Sequence, residues 1–168
     1  GLPKAARIVN GSMSQAMEGL RWIVNDQEMV SISYLPLAHI LERGWETFIL
    51  CMGGAIGFFS GQIERLMEDL QILKPTMMPS VPRVLNRIAG QIEAQMSAPG
   101  LKGKLLSKAV QVKLDNFYKT GAITHAFWDR LIFRKVRALL GGRVQFMITG
   151  SAPCRKDVLA LLRVALCV

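Results

Sequence analysis

Four short apolar runs, each followed by a stretch of helical spacing, constrain this chain more than any other feature. The runs are Met29 to Leu35, stopped by Pro36; Ala55 to Phe59; Thr76 to Met78, preceded by Lys74-Pro75; and Arg143 to Thr149, closed by Gly150. Between them apolar residues recur every three or four positions. Ser12 to Val24 carries Met13, Ala16, Met17, Leu20 and Ile23/Val24 at that spacing, and a polar break at Asn25 to Glu28 follows. Ala38 to Met52 reads as a helix ended by Gly53-Gly54, and Gln62 to Leu73 as one stopped before Pro75. Val81 to Met96 reads as a helix with Pro82 in its first turn, where a missing N–H costs little. Residues 98–103 look like a linker. Leu105 to Tyr118 and Ala126 to Leu140 read as two more helices, and Asp157 to Leu166 as the last. Strands that alternate with helices predict an α/β fold with a mostly parallel sheet, flanking helices and right-handed crossovers. The stretch 98–140 has no strand and reads as a helical insertion.

Size and composition then limit the function classes. A chain of 168 residues has enough length for a real core. With 51% hydrophobic and 20% charged residues it is not a disordered chain, and its 15 glycines follow no three-residue period. The longest apolar run, Phe48 to Met52, continues through Gly53-Gly54 to Phe59 and falls short of a membrane span. Cys51, Cys154 and Cys167 are widely spaced and odd in number, which argues against a disulfide framework and for a reducing compartment. His39 and His125 are too few and too isolated for a metal site. The chain opens Gly1-Leu2-Pro3-Lys4 without a methionine and closes inside a helical pattern, so it reads as a piece of a longer protein.

The net charge of +9 is uneven. Residues 74–143 hold thirteen Lys/Arg against three Asp/Glu, a net +10, while the remainder holds eight against nine. Lys102, Lys104, Lys108, Lys113, Lys119, Arg130, Arg134, Lys135 and Arg137 lie on or beside the two inserted helices. Two readings stand: a solvated helix face, or a surface for anionic lipid or a long phosphorylated ligand, with 102–143 facing an anionic membrane. Phe117, Tyr118, Phe127 and Trp128 accompany the charge, but no RNA-binding or finger motif does, so nucleic acid is not expected.

Two loops carry candidate chemistry. Gly1-Leu2-Pro3-Lys4 reads as the end of a glycine-rich loop, with Lys4 a point charge for phosphate. Gly150-Ser151-Ala152-Pro153 follows a strand, at the carboxyl edge where ligands bind in open α/β sheets, and lets backbone approach a flat ligand. A plain strand-to-helix turn is the alternative.

Five colinear motifs resemble one family across the whole chain. Ser33-Tyr34-Leu35-Pro36-Leu37-Ala38-His39-Ile40-Leu41-Glu42-Arg43 is similar to the long-chain acyl-CoA synthetase pattern S-Y-L-P-L-A-H-x-x-E-R. Lys74-Pro75-Thr76 with Val81-Pro82-Arg83, Leu85-Asn86-Arg87-Ile88, Phe127-Trp128-Asp129 to Phe133, and Leu140-Gly141-Gly142-Arg143-Val144 with Ile148 to Pro153 continue it in order. The resemblance implies an adenylate-forming enzyme of the AMP-binding superfamily. Such enzymes join a long-chain fatty acid to ATP as an acyl-adenylate, release pyrophosphate, and let the CoA thiol displace AMP. The implied fold is part of that superfamily's N-terminal domain, over residues 1–168. The implied co-substrates are ATP and CoA, with Mg2+ whose usual glutamate ligand this chain does not contain. The implied location is intracellular, cytoplasmic or at an organelle membrane.

The resemblance also assigns residues. Gly1, Pro3 and Lys4 match the tail of the phosphate loop, although Ala5 stands where the family has Gly and Asn10 where it commonly has His. Gly150, Ser151, Ala152 and Pro153 match the adenine-packing loop. His39, Val81 and Pro82 match the acyl-substrate pocket, with Met77 and Met78 as further candidate lining. Glu42 and Arg43 read as structural ion-pair residues. With half a phosphate loop and no metal carboxylate, the 168 residues are expected to be inactive alone. A non-catalytic lipid- or nucleotide-binding module on the same fold is the alternative.

Overall fold

The computed structural model describes residues 7–22, 24, 28–150 and 152–168. Four strands form one all-parallel sheet: β1 Val30–Ser33, β2 Ala55–Phe58, β3 Met77–Ser80 and β4 Phe146–Thr149, in the order β2-β1-β3-β4. The expected α/β class and parallel sheet are therefore present. The helices are α1 Asn10–Arg21, α2 Ile40–Cys51, α3 Leu66–Leu73, α4 Pro82–Met96, α5 Leu101–Thr120, the single turn α6 Ala126–Trp128, the short α7 Arg134–Arg137 and α8 Lys156–Leu166. Of the expected first helix, Ile23 lies outside the described residues, as do Asn25, Asp26 and Gln27 of the polar break.

The sheet is covered on both sides, as is usual for an all-parallel sheet. One face packs Met17 and Leu20 of α1 and Trp45, Phe48 and Ile49 of α2 against Met77, Phe146 and Ile148. The other buries Ile32 and Met78 under α3, α4, α5, α7 and α8. Met77 and Met78 thus point to opposite cores, the period of two that a strand imposes. Both are fully covered, so each packs in a core, the alternative to lining an acyl channel. The connection β1-α2-β2 runs outward over one face, and β2-α3-β3 returns past β1 over the other. Right-handed crossovers require this change of face when direction reverses.

Thr76 ties the strand entrances together. Its hydroxyl donates to the Glu28 carbonyl at 2.6 Å and accepts the Val30 amide at 2.9 Å, while its own carbonyl accepts the Gln145 amide at 2.8 Å. At the opposite end, the Tyr34 hydroxyl donates to the Pro79 carbonyl at 2.8 Å and clamps β1 to β3. In the middle, the Trp45 indole donates to the Ser31 hydroxyl at 2.7 Å, and its ring stacks on Phe146 with centroids 6.0 Å apart.

Three local expectations change. The run Ala55 to Phe59 is not a buried strand: β2 is the sheet edge, and Phe58 is 78% exposed. The linker is shorter than residues 98–103, because α5 already begins at Leu101 after the positive-φ Gly100. The helix expected over 126–140 is helical at every residue, but its register changes within it, at a π turn over Asp129–Phe133 and a 3₁₀ turn over Ala138–Leu140. Gly141 ends this segment with φ +84°, and a Cβ there would lie 2.6 Å from the Leu70 carbonyl oxygen.

Candidate active site at the carboxyl edge of the sheet

The strand order makes β1 and β3 neighbours whose outgoing connections diverge. This is a topological switch point, where open parallel sheets bind ligands. The chain leaves β1 through Tyr34 to Ala38, β3 through Val81 and β4 through Gly150. His39 is the cap of α2: its Nδ1 accepts the Leu41 amide at 3.2 Å, and its own amide donates to the Pro36 carbonyl at 2.8 Å. A neutral ring with Nδ1 used as acceptor carries its proton on Nε2, so Nε2 is left to donate to a ligand oxygen. Val81 caps α4, and Pro82 occupies its first turn. Gly150 directly follows β4, whose Thr149 is in register with Ser80 of β3. A Cβ on Gly150 would meet no atom of the described residues within 4 Å.

The structure thus brings His39, Val81, Pro82 and Gly150 to one edge of one sheet. Ala152 and Pro153 follow Gly150 as exposed residues. Gly1, Pro3, Lys4 and Ser151 lie outside the described residues. A cleft of about 350 Å³ opens between β3, β4 and α8; Ser80 and Thr149 line its carboxyl end and Met147, Leu159 and Leu162 its apolar floor. His39 and Val81 do not line it.

Neither Glu42 nor Arg43 is in an ion pair among the described residues, contrary to expectation. The Arg43 guanidinium donates instead to the Leu37 carbonyl at 3.2 Å. Glu42 falls on the buried face of α2 with Trp45, Phe48 and Ile49, and its exposure is 0%. Neither carboxylate oxygen has a hydrogen-bond partner among the described residues, and Glu46 Oε1 and Ser80 Oγ share that condition. Burial pushes the Glu42 pKa from 4.5 to about 7; the charge of Glu46 adds to the rise, and Ser33 with the Tyr34 and Leu35 amides opposes it in part. Burial also pushes the Tyr34 hydroxyl well above its ordinary value, against the opposing influence of Ser80. A buried polar group of Ser33, Tyr34, Glu42 and Ser80 therefore sits behind the site. The signal was a glutamate three, six and seven positions from three large apolar residues on one helix, the buried spacing.

Among the described residues no group of three or more His, Cys, Asp or Glu converges to hold a metal ion. The described residues therefore offer no donor set that fits a divalent cation. The described helices also include none long and apolar enough to cross a membrane.

The model of a family described as AMP-binding enzyme matches residues 1–168. The chain belongs to the AMP-binding enzyme family. Among its relatives, human long-chain-fatty-acid–CoA ligase 1 is 49% identical over 136 residues, which is 80% of this chain and 19% of the relative. Rat long-chain-fatty-acid–CoA ligase 5 is 45% identical over 140 residues, 83% of this chain and 20% of the relative. Arabidopsis thaliana peroxisomal long chain acyl-CoA synthetase 6 is 39% identical over 98% of this chain and 24% of the relative. The chain thus spans about a fifth to a quarter of the length of these AMP-binding relatives. Two solved structures share its fold. The A domain of carboxylic acid reductase from Segniliparus rugosus, in complex with AMP and a co-purified carboxylic acid, aligns with TM-score 0.59 and 23% identity over 86% of this chain and 20% of that one. The adenylation domain of the carboxylate reductase from Mycobacterium chelonae aligns with TM-score 0.64 and 19% identity over 92% of this chain and 22% of that one.

Proposed function

We propose that the protein carrying this chain activates long-chain fatty acids to acyl-CoA in two steps. The carboxylate attacks the α-phosphorus of ATP, giving acyl-adenylate and pyrophosphate. The CoA thiol then attacks the acyl carbonyl and expels AMP. The observation that carries this reading is the gathering of His39, Val81, Pro82 and Gly150 at one sheet edge, in a chain matched end to end by the AMP-binding family model.

Within this chain, His39 Nε2–H donates to a carboxylate or phosphate oxygen and fixes its direction, which favours reaction by orientation. Val81 and Pro82 wall the start of the acyl path. Gly150 to Pro153 pack on adenine, and Gly1, Pro3 and Lys4 hold the phosphates. Apolar walls around the reacting oxygens strengthen these contacts by excluding water. The 168 residues are part of an N-terminal domain and do not turn over alone. The basic segment 102–143 faces an anionic membrane surface, so vesicle binding weakens as salt rises.

The test supplies the natural full-length protein with ATP, Mg2+, palmitate and CoA. Palmitoyl-CoA with equal amounts of AMP and pyrophosphate is expected. Release of ADP, or no thioester, overturns the reading. Sustained palmitoyl-CoA formation by the isolated chain overturns the assignment of inactivity to the piece.

A further inference from the structure

The helical stretch between β3 and β4 holds a cavity that the proposed reaction does not use. It has a volume of about 320 Å³, at the small end of the roughly 300–1,000 Å³ typical of ligand pockets. Ala98, Leu105, Leu106, Leu131, Ile132 and Val136 form its apolar wall, and Lys102 and Lys135 stand at its mouth. None of these residues lines the cleft beside β4 and α8.

Three features of the cavity point to one kind of occupant. Its wall is apolar, so what enters must be hydrocarbon. Its two lysines are both exposed and come from different helices, α5 and α7, so that two ammonium-bearing side chains border one cavity. The polar groups at the mouth include no carboxylate, only the lysines and Gln95. The geometry itself has a local cause. The π turn at Asp129–Phe133, with the Arg134 amide donating to the Asp129 carbonyl five residues back, sets the segment off its α-helical register. Phe133 stays fully buried below, while Leu131 remains 52% exposed at the cavity. The turn is itself anchored, because Asp129 takes the Lys113 ammonium and the His125 amide.

We propose that this cavity binds the alkyl chain of a single amphiphile, with Lys102 and Lys135 holding its carboxylate or phosphate head. Hydrocarbon fills the space against Leu105, Leu131 and Ile132, and the two ammonium groups supply charge-assisted hydrogen bonds to the head oxygens. The site takes the amphiphile one molecule at a time, from solution. It stands apart from the acyl-activation reading, since no residue is shared with the carboxyl-edge site.

The probe is a dodecyl phosphate carrying a diazirine at its tail, used below its micellar concentration with the full-length protein. After irradiation, adducts are mapped by mass spectrometry. Saturable labelling within 98–106 and 131–136 is expected, at least about tenfold weaker in the double variant K102E/K135E and weakened by raised salt. Both lysines are exposed, so this variant retains the fold; its far-ultraviolet circular dichroism checks that. A second variant, Ala98→Trp, fills the mouth from an exposed position and is expected to remove the labelling without changing charge. Labelling confined to residues 80–85 and 145–149 overturns the proposal and leaves the acyl-activation reading intact. Labelling of 98–136 only when anionic phosphatidylserine vesicles are added also overturns it, since a membrane and not a single amphiphile is then the ligand. Equal labelling by a dodecyl trimethylammonium analogue overturns the role of the lysines.

Discussion

At the scale of single residues, two ionisable groups behave in opposite ways. Glu42 is fully buried, and burial raises its carboxyl pKa to about 7 in the folded chain, against 4.5 when unfolded. The folded state therefore holds a proton that the unfolded state has released, and stability falls as pH rises from 4.5 through 7. The full difference amounts to about 3 kcal/mol. Urea midpoints at about pH 5 and about pH 8 should show this fall, and Glu42→Gln should flatten it. Asp129 runs the other way. Its burial raises the carboxyl, but the Lys113 hydrogen bond, the His125 amide and the lysine charge outweigh that and hold it below the ordinary range. Its contribution is present above the ordinary aspartate pKa and is lost as pH drops through the lowered one. Lys113 is 1% exposed, with its ammonium also 4.5 Å from the Phe133 ring centroid and 3.3 Å from Cys167 Sγ. Asp129→Asn strands that charge and should cost about 3–5 kcal/mol in urea unfolding, whereas Lys113→Met with Asp129→Leu should cost much less. Neither residue was legible from sequence. Lys113 sits among nine basic residues at helical spacing and reads as one more solvated cation. Only the pairing of α5 with the π turn, sixteen residues on, shows that it points inward.

At the scale of elements, the strands were readable because short runs holding Val, Ile, Met and Phe stand between breakers and alternate with stretches of helical spacing. The edge position of β2 was not readable, since an edge differs from a centre only in what lies beside it. Helix ends followed the same division. The stop of α3 is written in Lys74-Pro75, but the start of α5 at Leu101 is not. Its third residue, Gly103, packs where a Cβ would lie 2.1 Å from the Ala98 carbonyl oxygen, a crossing that no local pattern announces. Gly141 is the clearest case of an element end fixed by a neighbour. It needs both a left-handed backbone and bare space against the Leu70 carbonyl and Lys74. Gly141→Ala should therefore lower stability by more than the roughly 1–2 kcal/mol of the backbone penalty alone. Gly90, a helical position with nothing within 4 Å of its added Cβ, provides the control. Gly90→Ala should raise stability by about 0.5–1 kcal/mol, both changes being read from thermal midpoints.

At the scale of the whole molecule, the charge and the chemistry occupy different regions. The +10 of residues 74–143 belongs mainly to the helices between β3 and β4, while the carboxyl-edge residues His39, Val81, Pro82 and Gly150 are uncharged. The motif His39 to Arg43 located one part of the edge from sequence alone, but not the buried polar group behind it. That group depends on the clamp from Tyr34 to Pro79, two residues 45 positions apart. The pairing of β3 with β4 spans a longer gap: Met77 meets Phe146 across an excursion that contains α4 to α7. The loop-closure entropy of such a pairing falls late, after local helices have formed. Pulse-labelled hydrogen exchange during refolding should protect α4 and α5 before the β4 amides. Refolding would then deliver the helical cavity first and the Gly150 loop last, so a chain still emerging or partly refolded would gain the cavity between α5 and α7 before the carboxyl edge of its sheet.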